Sequence, residues 1–367
     1  MKKKKIQWGR YLMLLSFMLI GGVCGILMVR VAEALGGGLP LIVLLFILMY
    51  AFMLVQIAVH EAGHLIFGLL SGYKFCSYRL FSLMLIRDGE RLRLRRFSLA
   101  GTGGQCLMEP PVLVNGEIPV VLYNLGGSLM NLIVSAVSLL ICFLSPQPFL
   151  SASMLMCAVI GFVFALMNGI PLRTGEVDND GYNARSLRRD KAALRAFWVQ
   201  MKISAETARG KRLRDMPEEW FAVPSDEGMK NSMLATLGVF ACNHLMDEQR
   251  FQEADALMER MLKNGSALAG LYRGLMICDR MYVELVGEGR GEIIDGWLTK
   301  EQKKLMKSMK TYPGVIRTEY ALALLHNRDE EAAKKIKARF EKNARTYPYP
   351  ADIASERELM EIAALKA

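Results

Sequence analysis

Two histidines and a glutamate lie close together in the segment His60-Glu61-Ala62-Gly63-His64. On a helix, positions i and i+4 share one face, so both imidazoles can bind one metal ion. Glu61 is then placed to act as a general base toward a water molecule. Zinc suits such ligands, polarises carbonyl groups and lowers the pKa of bound water to about 7. The spacing therefore predicts a hydrolytic zinc site with Glu61 as its base.

The surroundings of this motif are apolar, because residues 39–70 are interrupted only by Gln56 and the motif itself. A carboxylate at the centre of a bilayer costs about 2.5–3.5 kcal/mol on insertion scales, and a purely structural role explains that cost poorly. The alternatives are a polar cluster that bonds across helices and the ion site of a transporter. A transporter predicts polar residues spread over several spans or inverted repeats, and the sequence has neither.

A catalytic zinc usually takes three protein ligands and keeps a position for water, so a third ligand must come from elsewhere. Helix-breaking residues after a later apolar run allow an acidic loop to fold back toward the metal. A solvated acidic linker is the alternative. The residues of this region that bear on the choice are Asn168, Gly169, Pro171, Glu176, Asp178, Asp180 and Gly181.

Four apolar runs have about the 20 residues that a transmembrane helix needs, namely 11–29, 39–70, 120–144 and 149–169. The first could instead be a signal peptide with an A-x-A site at 32–34. Its length exceeds the roughly 7–15 residues of a signal-peptide apolar region, so an uncleaved span is favoured. These runs predict a multi-pass membrane protein in contact with the lipid bilayer.

Lysine and arginine are concentrated before the first span, in residues 74–96 and after the fourth span, whereas the other two loops contain none. Arg30 is the exception. The positive-inside rule then places both termini in the cytoplasm. Membrane orientation also accounts for the net charge of +10. No basic helix interleaved with aromatic residues and no zinc-finger spacing is present, so nucleic-acid binding is not expected.

Residues 78–97 predict a β-hairpin between the second and third spans. Asp88-Gly89 is a two-residue turn signal, and residues 90–97 alternate leucine with arginine. A half-charged strand cannot face lipid, so we expect the hairpin at the cytoplasmic interface. The glycine-rich segment 101–105 lacks the Lys-Ser/Thr of a phosphate loop and predicts a turn, with Gln105 and Glu109 as candidate site-lining residues.

After Asn183 the pattern is helical, with one amphipathic helix at 184–208 and a linker at 209–231. Helix starts near 231 and 266 are spaced by about the tetratricopeptide period of 34 residues, although residues 286–310 break that spacing. The predicted fold is mainly α. It has a four-span core with an interfacial β-hairpin at 1–182, an amphipathic helix and linker at 183–230, and a tetratricopeptide-like soluble domain at 231–367.

These motifs together resemble the site-2 protease family of intramembrane zinc metalloproteases, over roughly residues 40–185. That family carries HExxH on one transmembrane helix and N-x-x-P with D-G on a later one. The resemblance implies that His60, His64 and Asp180 bind zinc, that Glu61 is the base and that Asn168 holds substrate or water. The segment from Gly126 to Asn131 is similar to the family's A-G-P-x-x-N segment, which implies a supporting role for Asn131.

The sequence departs from the family pattern at three points. Asn179 stands where the family usually has leucine, Ser128 replaces its proline, and the gap from Pro171 to Asp180 is longer by about four residues. Asp178 therefore stays open as a second candidate for the third ligand.

The resemblance implies cleavage of single-span membrane proteins or signal-peptide remnants near the cytoplasmic side of a bacterial cell membrane. An edge strand of the hairpin could hold an extended substrate by strand addition. Residues 231–367 would recruit or regulate through a cytoplasmic protein partner, since helical repeat arrays bind peptides in concave grooves. The alternative is a catalytically silent, membrane-anchored, tetratricopeptide-like binding protein.

Overall fold

A computed structural model of the chain describes residues 8–89, 91–97, 103–174, 177–264 and 266–367. The N-terminal lysines, Glu90, Gly101, Thr102 and Glu176, which entered the sequence predictions, lie outside these ranges. The chain divides into two compact units. The first, here called the membrane unit, consists of Met1–Phe75 and Gly103–Lys191; the second, the helical unit, consists of Cys76–Thr102 and Ala192–Ala367.

The described residues are mainly helical, in agreement with the predicted class. The helices are α1 Trp8–Ala34, α2 Gly38–Leu70, α3 Val120–Leu144, α4 Pro148–Gly169, α5 Asp180–Leu187, α6 Lys191–Ala208, α7 Ser232–Asp247, α8 Phe251–Lys263, α9 Gly270–Val286, α10 Gly291–Trp297, α11 Lys300–Ser308, α12 Pro313–Ala321, α13 Glu330–Ala344 and α14 Pro350–Leu365. The strands are β1 Lys74–Leu80, β2 Leu83–Asp88, β3 Arg91–Arg96, β4 Gly104–Glu109, β5 Arg173–Thr174 and β6 Val177–Asp178.

Helices α1 to α4 contain four segments that are long and apolar enough to cross a membrane, which confirms the predicted number of candidate spans. These segments are Leu14–Ala34, Gly38–Leu70, Val120–Leu144 and Pro148–Gly169. The 33 residues of α2 give a helix of about 50 Å, longer than the roughly 30 Å hydrocarbon core of a bilayer. The HExxH motif lies in the last third of this helix.

The spans of the membrane unit approach each other closely at glycines. A Cβ atom on Gly63 of α2 would lie 2.3 Å from the carbonyl oxygen of Gly126 in α3. On α4, a Cβ atom on Gly161 would lie 2.4 Å from the Ser135 hydroxyl and 2.5 Å from the Gln56 amide nitrogen. Small residues allow helix backbones to approach within a membrane, so polar side chains of α2, α3 and α4 come into hydrogen-bonding range.

The segment predicted as a hairpin forms three antiparallel strands rather than two. β1 pairs with β2 up to Leu80↔Leu83, and the chain turns at Phe81, whose φ of +52° lies in the left-handed region. β2 pairs with β3 up to Asp88↔Arg91, so the second turn begins at Gly89 rather than at Asp88. The sequence prediction missed the first turn because a phenylalanine carries no turn signal.

The helical unit has its own core, in which Met229, Met258, Met281, Tyr282 and Phe340 are fully buried. The helix predicted at 184–208 is broken. α5 ends at Leu187 and α6 begins at Lys191, near the boundary between the two units. Short helices α10 and α11 stand between α9 and α12, and the tetratricopeptide-like interpretation stays a prediction.

Candidate metal centre

Three side chains from two distant parts of the sequence converge in the membrane unit. The Nε2 atoms of His60 and His64 are 3.2 Å apart. Oδ2 of Asp180 lies 3.0 Å from Nε2 of His60 and 3.4 Å from Nε2 of His64. The helical spacing of the motif supplies the two imidazoles, and the first turn of α5 supplies the carboxylate.

The opposite nitrogens of both imidazoles are held by oxygen atoms. Nδ1 of His60 lies 2.8 Å from Oδ1 of Asn131, and Nδ1 of His64 lies 2.9 Å from the carbonyl oxygen of Tyr123. Both oxygens can only accept hydrogen bonds, so each Nδ1 donates and carries the ring proton. In the neutral rings, both Nε2 lone pairs and the Asp180 carboxylate then face one another. Three converging acceptors are stabilised by a positive charge between them, supplied either by a metal ion or by a proton.

The spacing of these three atoms fits a transition metal. Zinc binds imidazole nitrogen at about 2.0–2.1 Å, so the ligand atoms of a tetrahedral site lie about 3.3 Å apart. The observed separations of 3.0, 3.2 and 3.4 Å match that edge length. His60, His64 and Asp180 can therefore hold one metal ion through one atom each. Imidazole with carboxylate suits several divalent transition metals.

Asn179 fixes the position of Asp180. Its Oδ1 accepts hydrogen bonds from the backbone N–H groups of Tyr182 and Leu172, at 2.9 and 3.0 Å. Its Nδ2 donates to the carbonyl oxygens of Met167 and Ile170 at the end of α4, at 2.7 and 2.6 Å. The amide thus caps the N-terminus of α5 and ties it to α4.

Asp180 and Asp178, the two candidates for the third ligand, have different partners. Asp178 Oδ1 accepts a 2.8 Å hydrogen bond from Arg173 Nε. Oδ2 of Asp180 instead lies within 3.4 Å of the Nε2 atoms of both His60 and His64. The geometry brings Asp180, and not Asp178, into the histidine cluster.

Glu61 lies beside strand β4. A Cβ atom on Gly104 would be only 2.6 Å from Cγ and Oε1 of Glu61, so glycine lets this strand pass against the carboxylate. The prediction of a turn here is wrong for Gly104 and Gln105, which are the first residues of β4.

The two asparagines singled out from the sequence lie in different surroundings. Asn131 is fully buried and contacts His60 directly. Asn168 lies near the end of α4 and donates a 3.0 Å hydrogen bond to the carbonyl oxygen of Phe164 in its own helix. The structure therefore brings Asn131 to the cluster, and a role for Asn168 in holding substrate stays a prediction.

Sequence reasoning missed three residues that support the site: Gln56, Gly104 and Asn179. Gln56 is four residues before His60 on α2, and its side chain contacts Asn131. The only signal for it was a polar residue within an apolar run. The signal for Asn179 was its departure from the family pattern, and Gly104 gave only a glycine-rich segment.

Comparisons with known proteins do not identify the chain: no protein-family model, no curated protein and no solved structure matches it. The chemistry of the site therefore has to be inferred from its own residues and geometry.

Proposed function

We propose that this chain is an intramembrane zinc metalloprotease of the site-2 protease type. The observation that carries the proposal is the convergence of three acceptor atoms, from His60, His64 and Asp180, within a unit of four membrane-length helices. Glu61 follows the first of these ligands directly in the sequence. This set of three ligands with an adjacent carboxylate has the composition of a hydrolytic zinc site.

The residues of the chain would divide the work of peptide hydrolysis. A zinc ion held by His60, His64 and Asp180 supplies Lewis acidity toward the scissile carbonyl and a water molecule. The Glu61 carboxylate would take a proton from a water molecule while the oxygen of that water bonds to the carbonyl carbon. Glu61 then gives the proton to the amide nitrogen as the carbon–nitrogen bond breaks. Asn131 keeps the His60 ring in place throughout.

The substrate would lie extended next to strand β4. A transmembrane helix hides its peptide bonds in backbone hydrogen bonds, so the segment to be cut has to unwind locally. Gly104 brings the backbone of β4 against Glu61, so a substrate strand paired with β4 would lie close to the proposed base. Pairing with a strand would hold the scissile bond in an extended form beside the carboxylate. The hairpin edge predicted from the sequence lies in residues 78–97, before β4 in the chain.

The substrates would be single-span proteins or signal-peptide remnants, cut near one membrane surface. His64 is six residues from the end of α2, or about 9 Å along the helix. By the positive-inside rule, the clustering of arginine in residues 74–96 would place that surface on the cytoplasmic side, together with both termini. The protein would reside in a bacterial cell membrane, and residues 231–367 would recruit substrate or bind a regulatory protein.

Cleavage by matched glutamate variants tests the proposal. The parent, Glu61→Gln and Glu117→Gln would be purified in detergent and incubated with a panel of single-span substrates. Glu117 is an exposed glutamate outside the cluster, so its variant carries the same chemical change without touching the site. We expect Glu61→Gln to lose at least about 10²-fold in cleavage rate, because the general base is gone, and Glu117→Gln to match the parent.

Cleavage by Glu61→Gln at the parental rate would contradict the proposed mechanism. If neither the parent nor the variants cut any substrate or bind zinc, the chain would instead be the membrane-anchored binding protein that the sequence left as the alternative. The helical unit would then be the place to search for a partner.

A further inference from the structure

A continuous chain of hydrogen bonds links the metal cluster to the interior of helix α4. It begins at Nδ1 of His60, which donates to Oδ1 of Asn131. Nδ2 of Asn131 donates to Oε1 of Gln56 at 2.7 Å and to the Gln56 carbonyl oxygen at 2.9 Å. Nε2 of Gln56 donates to the carbonyl oxygen of Cys157 at 3.2 Å. Gln56 and Asn131 are both fully buried.

The direction of every hydrogen bond in this chain is fixed. The carbonyl oxygens of Cys157 and Gln56 can only accept, so the amide nitrogens of Gln56 and Asn131 must face them. The oxygen of the Asn131 amide is then left for His60, and it too can only accept. His60 must therefore carry a proton on Nδ1, and in its neutral form it presents the lone pair of Nε2 to the cluster.

We infer that Gln56 is a positioning residue of the metal site, which acts through Asn131 to fix the tautomer and orientation of His60. The inference rests on the proposed metal site and adds a residue that neither the motif nor the resemblance contains. Groups that hold the outer nitrogen of a ligating histidine typically change metal affinity 10- to 100-fold when they are removed. Ser135, which donates to the Asn131 carbonyl oxygen at 2.8 Å, braces the same turn of α3.

The helical unit contains a natural control for this role. Gln302 is also buried, and its Nε2 donates to the carbonyl oxygen of Gly274 at 2.9 Å and to the sulfur of Cys278 at 3.1 Å. Gln56 has the same two kinds of acceptor, the carbonyl oxygen and, at 3.6 Å, the sulfur of Cys157. Replacement of either glutamine by methionine removes these donated hydrogen bonds, and in Gln56→Met it also removes the side-chain acceptor of Asn131, the residue that contacts His60.

The test measures Zn²⁺ affinity of the apo protein in detergent by competition with a chelator of known affinity. We expect Gln56→Met to weaken binding 10- to 100-fold and Gln302→Met to leave it within about threefold of the parent. Gln56→Glu should also stay within about threefold, because a carboxyl group kept neutral by burial offers one acceptor to Asn131 and one donor to Cys157. The visible spectrum of bound Co²⁺ should change for Gln56→Met alone.

Each other result overturns the inference in a recognisable way. Parental affinity in Gln56→Met would show that Asn131 holds His60 unaided, and equal losses in both methionine variants would indicate a general effect on folding. If Gln56→Met does not fold, Gln56→Glu decides, since a folded Gln56→Glu protein with a loss above tenfold contradicts the bonding scheme. A parent that binds no Zn²⁺ would instead remove the proposed function on which the inference depends.

Discussion

Each unit of the molecule buries a glutamine that makes the same kinds of donated hydrogen bond, but only one of the two glutamines is connected to a candidate metal ligand. Gln56 in the membrane unit and Gln302 in the helical unit both donate to a backbone carbonyl and lie close to a cysteine sulfur. The amide of Gln302 closes a contact between α9 and α11. The amide of Gln56 accepts a hydrogen bond from Asn131, and Asn131 in turn accepts one from His60.

The buried charges differ in the same way. In the helical unit, the fully buried Arg317 forms ion pairs with Asp279 and with Glu356, so the cation is matched by anions within the cluster. In the membrane unit, two ring nitrogens and a carboxylate oxygen converge, and neutral rings protonated on Nδ1 leave all three as acceptors. A buried cluster that pairs its own opposite charges is structural, whereas one whose acceptors converge indicates a site for a cation.

Breaking the ion-pair cluster of Arg317, Asp279 and Glu356 should have the largest effect on stability. We expect Arg317→Met to lower the free energy of unfolding by about 3–5 kcal/mol, because Asp279 and Glu356 stay buried without their counter-ion. The control is Lys334→Met, whose partner Glu331 is as exposed as Lys334 itself, and it should cost less than about 1 kcal/mol. Denaturant unfolding followed by circular dichroism measures both. Equal losses of unfolding free energy in Arg317→Met and Lys334→Met would contradict the expected difference between buried and exposed ion pairs.

A methyl group placed against the metal cluster should weaken metal binding instead of stability. A Cβ atom on Gly127 would lie 2.5–2.6 Å from three atoms of the His60 ring. We expect Gly127→Ala to displace that ring and reduce Zn²⁺ affinity by 10- to 100-fold, or about 1.4–2.7 kcal/mol. Gly22→Ala, where no atom lies within 4 Å of the added Cβ, is the control. Unchanged affinity in Gly127→Ala would mean that His60 is not a ligand.

The smallest expected effect is a pH dependence confined to the helical unit. Burial, together with the charges of Glu356 and Asp247, raises the pKa of Asp352 to about 7. The folded chain then binds this proton more tightly than the unfolded chain, so stability falls as the pH rises from about 4 to about 7 and is level above that. An asparagine side chain cannot ionise, hence Asp352→Asn should be more stable than the parent at pH 8. The difference should be about 1–2 kcal/mol, less than the roughly 4 kcal/mol of a full three-unit shift, because Asp352 keeps partial contact with solvent.

Thermal unfolding of the parent and of Asp352→Asn between pH 5 and pH 8 checks this expectation. The difference in melting temperature should shrink toward pH 5, where the parent's carboxyl is protonated as well. A difference that does not change with pH would show that Asp352 titrates at its ordinary value. Metal affinity should be the same in both proteins at each pH, because Asp352 belongs to the helical unit and the metal cluster belongs to the membrane unit.

Periodicity and composition were enough to predict the four candidate spans, the face shared by His60 and His64, and the approach of an acidic loop to them. Each of these depends on local sequence: helix spacing, apolar run length and helix-breaking residues. The choice of Asp180 over Asp178 needed the structure, since it depends on Asn179, whose amide bonds to residues up to twelve positions away.

The supporting residues could not be predicted, because their roles depend on contacts between distant segments. Gln56 contacts Asn131, which is 75 positions away in the sequence. Gly104, which lies against Glu61, belongs to a strand whose glycine-rich start predicted a turn. A glycine-rich stretch gives no hydrophobic alternation by which a strand would be recognised. The polar residue in an apolar span was visible in the sequence, but its direction of hydrogen bonding was not.

The most direct test of the account is the zinc content of four purified proteins: the parent, Glu61→Gln, Asp178→Asn and Asp180→Asn. Elemental analysis should find about one zinc per chain in the parent, in Glu61→Gln and in Asp178→Asn, because each keeps all three ligands. Asp180→Asn should lose most of its zinc. Zinc retained in Asp180→Asn, or lost in Asp178→Asn instead, would contradict the assignment of the converging acceptors as a metal site.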